Sequence, residues 1–545
     1  MVNMEIHLAD NAPPSWNRCG STYAKGCVFF NDEMYQSTKL SELIAAQENR
    51  ADFISHLQQL NGFFAVAHAT GNCIFLAVDP VRSLPLFYGI MDKNVFVSDD
   101  ARWVQRQLQD EEIDENSAVE FLLTRSVSGS DTLSPSVKQV PAGGTMAISS
   151  TPEGVHDEFI RYFKFGNSKL AAEPFEKLFT QTDTILASVF KRLINFAAGR
   201  TIVVPLSGGL DSRLIVLMLK RFDYSNVVAF TYGRRGYRES LISRRVAESL
   251  GFRWEFVEYS NSSWRRWYES PEWQAYSNFA DGLSSTPHIQ EWPAVWELKK
   301  NSRIPNDSIL VPGLMPSLTH SIHKPPVHWL EETVISADEV AGTICDRYFT
   351  LQDWSSYRGT FRPGLCRKIK KVLQLPTNLA PELAIEVFDR WWLQTTFSNF
   401  LVNAVRVYEF WGYEWWLPLC DLEFVRFSTA LPLDLQLQKR FELPYVQRLE
   451  TDTTSKPPTW NTSDPTLLPS LLKILNALHL RNQARRIRVS LEYDRHHFAW
   501  YGIMPERDYM RAFHGKEDIN TYMANQTLRK IFPDYTIPDG LDFLA

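Results

Sequence analysis

The sequence predicts two domains, an N-terminal α+β domain over residues 1–167 and an α/β domain with a parallel sheet and a helical C-terminal part over residues 168–545. Three observations support this division. The 545 residues exceed what one hydrophobic core usually organises. The first part carries short apolar runs at hairpin intervals, which are typical of antiparallel strands. The second part alternates β-branched runs with helical segments, which is typical of a parallel sheet.

In the first domain, the segment 61–98 consists of short Val, Phe, Ile and Leu runs broken by Gly, Asn, Asp and Pro. This pattern predicts an antiparallel meander. Helices are predicted at about 101–109 and near 117–124. A final strand pair is expected around 137–148, with its turn at residues 141–144. Strands and helices in this order indicate an α+β domain.

The second domain begins with one amphipathic helix over 175–197, whose apolar residues recur at spacings of three and four. A later strand is expected at 308–311, and further helices at 383–407 and 468–478. Between these segments the pattern predicts strand, helix, strand, helix and strand over 201–205, 211–222, 226–231, 239–250 and 254–258.

Composition and charge exclude several classes of protein. Hydrophobic residues make up 44% of the chain, too many for a disordered protein. The net charge of -6 gives no positive field, so no nucleic-acid partner is expected, and the arginines between 481 and 488 are assigned to a solvated helix face. No signal peptide and no run of 18 apolar residues is found, so no membrane partner and a cytoplasmic location are expected. The six scattered cysteines form no CxxC pair, which argues against a disulfide scaffold or a zinc ribbon.

The most informative residues are PLSGGLDSRLI at 205–215, where a buried strand ends and a helix starts. Backbone N–H groups of residues 207–210 would meet an anion at the helix N-terminus, and glycine allows the close approach of a phosphate. Asp211 inside an anion site is explained by a cation, so we expect it to hold Mg²⁺. Ser207 and Ser212 add hydroxyl donors. The alternative is a helix capped by Ser207 and Asp211 after a tight glycine turn.

This run resembles the PP-loop of ATP pyrophosphatases, which bind ATP and cleave it between the α and β phosphates; no GK[ST] follows the glycines, so it is not a Walker loop. Its surroundings resemble the asparagine synthetase family, in which an N-terminal Ntn-hydrolase-like, class II glutamine amidotransferase-like domain precedes the synthetase domain. The resemblance covers most of the chain. It rests on Asn61, Gly62, Phe64, Asp79, Arg82, Ser83, Pro85, Leu86, Tyr88, Ser98, Asp99, residues 141–144, Thr231, Tyr232, Gly233, Glu239, Arg244, Ala247, Glu248 and residues 403–425.

The resemblance implies roles for particular residues, with ATP and Mg²⁺ as cofactors. Lys439 would lie over the phosphates, or alternatively on a solvated helix. Arg406 would bind an acidic substrate while Tyr408 with Glu409 relays a proton, although a buried ion pair explains Arg406 and Glu409 equally well. Asp281, His288 and Gln290 are expected as polar substrate-binding residues of the cleft. The residues expected to bind ATP are Leu206, Ser207, Gly208, Gly209, Leu210, Asp211, Ser212, Thr231, Gly233 and Gly313, with Asp211 also the metal ligand.

The sequence departs from the family's pattern at two places. Glutamine-dependent members use a cysteine directly after the initiator methionine, and here Val2 stands there, so the chain resembles relatives that lack this nucleophile and no glutaminase activity is expected. Cys19 and Cys27 are internal and are read as structural. After the strand at 308–311, the family's acidic Gly-rich turn is replaced by PGLMPS, which has no carboxylate. His320 or His323 would replace some of the lost contacts, or serve as structural histidines.

The function expected from the resemblance is ATP-dependent amide formation through an acyl-adenylate, with release of AMP and pyrophosphate. The partners would be a small-molecule or peptide acyl substrate and an amine or ammonia donor, and a homodimer is allowed. A different class of function is a catalytically weakened ATP-binding scaffold, because the carboxylate-free turn would weaken metal binding. A tRNA-modifying enzyme with the same loop is disfavoured by the net charge of -6.

Overall fold

The computed structural model describes residues 3–8, 12–47, 49–152, 154–166, 173–316, 326–454, 492–513 and 519–542. The expected domain boundary at 167/168, Val2, His320, His323, the helix at 468–478 and the arginines between 481 and 488 lie outside these ranges. Among the helices of the described ranges, none has both the length and the apolar character needed to cross a membrane.

The N-terminal domain is built from two sheets. A seven-stranded sheet has the order β11-β10-β6-β5-β3-β2, with β4 paired to β3, and a four-stranded sheet has the order β1-β8-β7-β9. Its strands are β1 Asn3–His7, β2 Trp16–Cys19, β3 Thr22–Phe30, β4 Glu33–Gln36, β5 Asn61–Thr70, β6 Cys73–Val78, β7 Phe87–Met91, β8 Asn94–Ser98, β9 Lys138–Gln139, β10 Gly144–Thr151 and β11 Gly154–Arg161. Its helices are α1 Thr38–Ala45, α2 Arg50–Leu57, α3 Ala101–Leu108 and α4 Glu115–Thr124.

Two expectations about this domain are wrong in their pairing. The segment 61–98 is not one meander, because β5 and β6 pair in the larger sheet whereas β7 and β8 pair in the smaller one. The segment 137–148 is not a hairpin either. In it β9 pairs with β7, while β10 pairs with β6 and β11. In both cases a Pro-containing link carries the chain from one sheet to the other, so neighbours in sequence do not become neighbours in a sheet.

The second domain contains a five-stranded parallel sheet of order β14-β13-β12-β15-β18, as the alternation of strands and helices predicts. The order reverses direction at β12, which has β13 on one side and β15 on the other. In such sheets ligands bind at the carboxyl ends of the strands where the order reverses. The strands are β12 Ile202–Pro205, β13 Val227–Gly233, β14 Arg253–Glu258, β15 Ile309–Leu310 and β18 Glu414–Trp415, with a separate pair of β16 Ile335–Ser336 and β17 Asn378–Leu379.

Helices surround this sheet and form the C-terminal part. The amphipathic segment Phe175–Ala197 is a single helix that buries Leu186, Val189, Phe190 and Leu193. The helices are α5 Phe175–Ala197, α6 Leu210–Arg221, α7 Arg238–Leu250, α8 Asn261–Tyr268, α9 Pro271–Ala280, α10 Trp292–Lys300, α11 Ala337–Tyr348, α12 Arg358–Leu373, α13 Pro381–Trp392, α14 Arg406–Phe410, α15 Leu422–Ala430, α16 Leu433–Gln436, α17 Glu442–Thr453, α18 Glu506–Ala512 and α19 Ile519–Ile531.

The helix expected at 383–407 is present but irregular. α13 continues into a π-helical stretch, Leu393–Leu401, and a 3-10 stretch, Val402–Val405, before α14 begins at Arg406. Such π turns rotate the helix relative to a regular one and occur frequently at functional sites.

The two domains pack directly on each other. Asn61 at the start of β5 donates from Nδ2 to Oδ1 of Asp421 (3.0 Å), and its Oδ1 accepts the backbone N–H of Leu422 (2.8 Å). Arg192 on α5 binds the same carboxylate, with Nε 2.7 Å from Oδ2. Phe63 packs edge-on against Trp416 with ring centroids 4.9 Å apart. The turn containing Asp421 therefore joins the domains and caps α15.

Candidate nucleotide site

The loop between β12 and α6 lies at the carboxyl edge of the parallel sheet and is shaped by its two serines. Ser207 Oγ accepts the N–H of Gly209 (3.1 Å), and Ser212 Oγ accepts the N–H of Ser207 (3.2 Å). α6 begins after Gly209 without a side-chain cap. The serines therefore fix the loop, and the alternative of a helix capped by Ser207 and Asp211 is not what the structure contains. Of the expected anion donors, the N–H groups of Ser207 and Gly209 are thus used inside the loop, whereas these bonds leave those of Gly208 and Leu210, with the positive dipole end of α6, for an anion.

Glycine at two positions allows close backbone packing around this loop. A Cβ on Gly313 would lie 2.7 Å from the nitrogen and 3.0 Å from the Cα of Ser212, closer than real side chains come. A Cβ on Gly208 would lie 3.3 Å from Glu239 Cγ. The turn after β15 therefore packs against the first residues of α6 through Gly313, although this turn contains no carboxylate.

Thr231 and Gly233 end the neighbouring strand β13 at the same edge. The Thr231 hydroxyl donates to the Leu206 carbonyl (2.6 Å) and also contacts Ser243, so this buried side chain fixes the entry to the loop. Gly233 has a φ of +135°, and a Cβ there would lie 2.7 Å from the His497 carbonyl oxygen. Thr231 therefore shapes the edge through its hydroxyl group, and Gly233 through its backbone.

Asp211 does not stand alone, because α17 brings a second carboxyl group to it. Glu442 is 8% exposed and faces Asp211, and burial together with the Asp211 charge raises the pKa of Glu442 to about 9. Lys439 Nζ lies 3.6 Å from Glu442 Oε2 and opposes this shift. Lys439 itself has a φ of +57°, a backbone conformation that side chains other than glycine rarely adopt. Strained residues of this kind cluster at functional sites.

This pair fits a magnesium ion in its chemistry. Oε2 of Glu442 is buried, lies 3.6 Å from Lys439 Nζ and belongs to a carboxyl group that faces Asp211, so the two carboxyl groups stand together. Across the described ranges no group of three or more His, Cys, Asp or Glu side chains converges, so the protein would supply two carboxyl ligands here. Mg²⁺ commonly takes one or two carboxylates and completes its shell with phosphate and water. Asp211 and Glu442 would hold the ion, which would supply charge neutralisation at the phosphates.

α6 and α17 are also held together by a buried ion pair. Arg213 Nη1 lies 3.6 Å from Glu450 Oε2, with both side chains at most 3% exposed. Arg213 Nη2 also donates to the Gly208 carbonyl (3.4 Å). The pair therefore connects the loop to the helix that carries Glu442.

A polar cluster follows β13 at the same edge. Tyr408 donates a short hydrogen bond to Glu291, and the Tyr232 hydroxyl lies 3.4 Å from the other oxygen of that carboxylate. Gln290 Nε2 donates to the Tyr232 hydroxyl (3.0 Å). Burial raises the pKa of Glu291, which the two tyrosine hydrogen bonds oppose. Tyr408 thus pairs with Glu291, whereas Glu409 pairs elsewhere, so a direct Tyr408 to Glu409 relay has no hydrogen bond here.

Arg406, Glu409 and Asp281 line a cavity of about 500 Å³ between the two domains. Arg406 binds Glu409 and lies 3.9 Å above the ring centroid of Phe279. Asp281 accepts from Arg102 Nη2 (2.5 Å). Two further ion pairs border this interdomain cavity, Lys25 with Asp99 (3.4 Å) and Arg106 with Asp100 (3.6 Å).

His288 does not line that cavity. Its ring packs against Phe400 with centroids 5.8 Å apart, and burial with the nearby Arg125 charge lowers the pKa of His288 to about 4. It is therefore neutral at physiological pH.

The expected site residues thus fall into three groups. One group surrounds an edge of the sheet and consists of the loop with Asp211, Lys439, Thr231, Gly233 and Gly313. Tyr408 and Gln290 join the Glu291 cluster, and Arg406, Glu409 and Asp281 face the interdomain cavity. His288 belongs to none of these groups. Sequence reasoning missed Glu442 and Glu291. Glu442 had one available signal, its position one helical turn after Lys439, where i and i+3 side chains meet. Glu291 directly follows the predicted Gln290 but had no periodic signal of its own.

Family models match two parts of the chain. The model described as "Asparagine synthase" matches residues 183–264, and the "Glutamine amidotransferase domain" model matches residues 30–158. The chain is 24% identical over 243 residues to "Asparagine synthetase [glutamine-hydrolyzing] 1" of Bacillus subtilis strain 168. That similarity covers 41% of the chain and 37% of the relative.

Solved structures overlap with parts of the fold. The NH3-dependent NAD synthetase of Campylobacter jejuni is 17% identical, and the similarity covers 26% of this chain and 56% of that one with a TM-score of 0.18. The glutamine phosphoribosylpyrophosphate amidotransferase of B. subtilis is 12% identical, with 57% and 66% coverage and a TM-score of 0.19.

The fold and the family models together define the class: a glutamine amidotransferase domain followed by a PP-loop synthetase domain with a parallel sheet. The order of the two matched segments and the Bacillus relative make the chain similar to the asparagine synthetase family, although it spans only about a third of that relative's length.

Proposed function

We propose that the chain is an ATP-dependent amide-forming ligase. The observation that carries the proposal is the uncapped start of α6 beside the Asp211–Glu442 pair, because a phosphate chain with its metal needs both backbone donors and carboxylates. A substrate carboxylate would attack the α-phosphorus of ATP, giving an acyl-adenylate and pyrophosphate. An amine or ammonia would then attack the acyl carbon and release AMP.

The residues of the site would have two roles, stabilisation of negative charge and transfer of a proton. The N–H groups of Gly208 and Leu210 and the Lys439 ammonium would stabilise the negative charge that builds on the leaving pyrophosphate. The Tyr408–Glu291 pair is the group at this edge suited to accept a proton from the attacking amine, since burial raises the pKa of Glu291 and so makes its carboxylate a stronger base.

We propose further that the nitrogen comes from ammonia or a substrate amine rather than from glutamine hydrolysis. The three cysteines of the amidotransferase domain support this, and one of them, Cys73, is the first residue of β6. Cys27 lies inside β3, and burial followed by the Glu414 charge raises the pKa of its thiol, which makes it a poor nucleophile. Cys19 is also an internal strand residue, in β2.

The test is the release of AMP and pyrophosphate by the full chain. L-Aspartate with ammonia is the first substrate pair to use, followed by a panel of carboxylates and amines. We expect AMP and pyrophosphate in equal amounts, dependent on both carboxylate and amine, and their loss in Asp211→Asn. Binding of ATP without any pyrophosphate across the panel would favour the second candidate, an ATP-binding scaffold. That candidate is supported by the absence of carboxylates from residues 312–316 after β15.

A further inference from the structure

The interdomain cavity contains a buried cation that lacks a partner. Arg82 is 4% exposed, and its Nε and Nη2 atoms are buried without a hydrogen-bond partner among the described residues. The neighbouring Asp79 carboxylate attracts Arg82 electrostatically, but its oxygens accept hydrogen bonds from the N–H groups of Phe64, Val81 and Ser83 and from the Ser83 hydroxyl, and not from the guanidinium. An unpaired guanidinium out of water is costly, so its presence requires an explanation.

The charges around the cavity show what is missing. Besides Arg82, four cations and four carboxylates line it, and these eight groups form the four ion pairs described above. Within the described part of the chain, Arg82 is therefore the lining cation in excess. Burial and the like charge of Arg406 lower the pKa of Arg82 to about 9, and the charge of Asp79, which does not line the cavity, opposes this shift. One negative charge from a ligand would complete the set.

The backbone at Arg82 gives a second, independent indication. Its φ is +55°, in the left-handed region where a glycine would be free of strain. Arg82 adopts this strained backbone conformation, and its guanidinium lies over the Phe87 ring, 5.5 Å from the centroid. Strain of this kind persists at ligand-binding positions.

We propose that the interdomain cavity binds a small organic monocarboxylate, with Arg82 as its anchor. Arg82 lines the cavity and has two guanidinium nitrogens without a hydrogen-bond partner among the described residues, and a carboxylate can pair with two such nitrogens at once. Phe87, Phe279 and Phe410 supply apolar walls for the organic part, and about 500 Å³ is a usual size for a small-molecule site. The four lining carboxylates disfavour a phosphate dianion, which would exceed the single positive charge available.

This inference goes beyond the proposed ligase activity and is tested without ATP. The full chain is titrated by calorimetry with acetate, phenylacetate and inorganic phosphate, in a buffer free of other carboxylates. We expect saturable binding of both carboxylates, tighter for phenylacetate because of the aromatic walls, and weaker binding of phosphate. Arg82→Gln should weaken phenylacetate binding at least about tenfold, since it removes a charged donor. Arg82→Lys should retain part of the affinity.

The matched control is Arg50→Gln, which changes the same residue type in the same domain at an exposed, paired position that does not line the cavity. Its affinity for phenylacetate should stay within about twofold of the wild type. Wild-type affinity in a folded Arg82→Gln or Arg82→Lys variant, no saturable heat with either carboxylate, or tighter binding of phosphate would each overturn the proposal. A chain that releases no pyrophosphate would contradict the proposed ligase activity but would not change these carboxylate titrations. The ligase proposal and the carboxylate-site proposal can therefore fail independently.

Discussion

Replacing Gly313 by alanine tests whether the turn after β15 supports the nucleotide loop. The added Cβ would lie 2.7 Å from the nitrogen and 3.0 Å from the Cα of Ser212, and 3.2 Å from the carbonyl carbon of Asp211. Carbon atoms pack comfortably at about 3.5 Å, so α6 would have to move by roughly 0.8 Å. All three atoms are backbone, and no flexible side chain can move aside instead.

The displacement has a predictable size in two measurements. Overpacking of this kind typically costs about 1–3 kcal/mol in the free energy of unfolding. A movement of roughly 0.8 Å also takes phosphate hydrogen bonds out of their 2.7–3.2 Å range, and losing one charge-assisted bond lowers affinity at least about tenfold. We therefore expect Gly313→Ala to weaken Mg-ATP binding by that factor in calorimetry and to lower the urea midpoint.

The control is Gly359→Ala on α12, where no atom lies within 4 Å of the added Cβ. Its stability should be equal to the wild type or slightly higher, because alanine favours helix. If Gly313→Ala bound Mg-ATP within twofold of the wild type at unchanged stability, the reasoning that this turn positions α6 would be refuted.

Three further predictions concern Glu442, the Arg213–Glu450 ion pair and the buried His288. Glu442→Gln should raise the Mg²⁺ concentration needed for half-maximal ATP binding about tenfold, and an unchanged Mg²⁺ titration would remove Glu442 from the metal site. Arg213→Met should lower the free energy of unfolding in urea by about 3–5 kcal/mol, because it leaves Glu450 buried without its cation. The double variant Arg213→Met with Glu450→Leu should recover most of this loss. An equal loss in the single and the double variant would contradict the role of the ion pair. The folded-state pKa of His288 is about 4 and its unfolded value about 6.5, so the unfolded chain binds the proton first and stability should fall as pH decreases through this window. His288→Gln should show a smaller fall, and parallel curves would contradict the assignment.

Much of the second domain was predictable from sequence because its signals are local. The strand and helix alternation from residue 201 to 258 gave parallel pairing, and the structure has each of these elements within about two residues. The helix expected at 175–197 has the same bounds. The nucleotide loop lies within eleven consecutive residues, so its position between a strand and a helix could be predicted from the sequence alone.

Pairing between distant segments was not predictable. β7 and β9 are about 50 residues apart, and no periodicity distinguishes the sheet that each joins. The same applies to the site: Glu442 reaches Asp211 only because α17 packs against α6, and Glu291 reaches Tyr408 from 117 residues away. The sequence marks Arg82 only as one of the residues that carry the family resemblance. That it is the unpaired cation of the cavity lining follows from four ion pairs whose members come from both domains, and these pairs could not be predicted.

The most direct test of the account is a calorimetric titration of the full chain with Mg-ATP, beside Asp211→Asn and a metal-free titration. The account predicts saturable heat with Mg-ATP, and binding weakened at least about tenfold both without Mg²⁺ and in the variant. A well-folded wild-type chain that gives no heat with Mg-ATP, or an Asp211→Asn variant that binds it as tightly as the wild type, would contradict it.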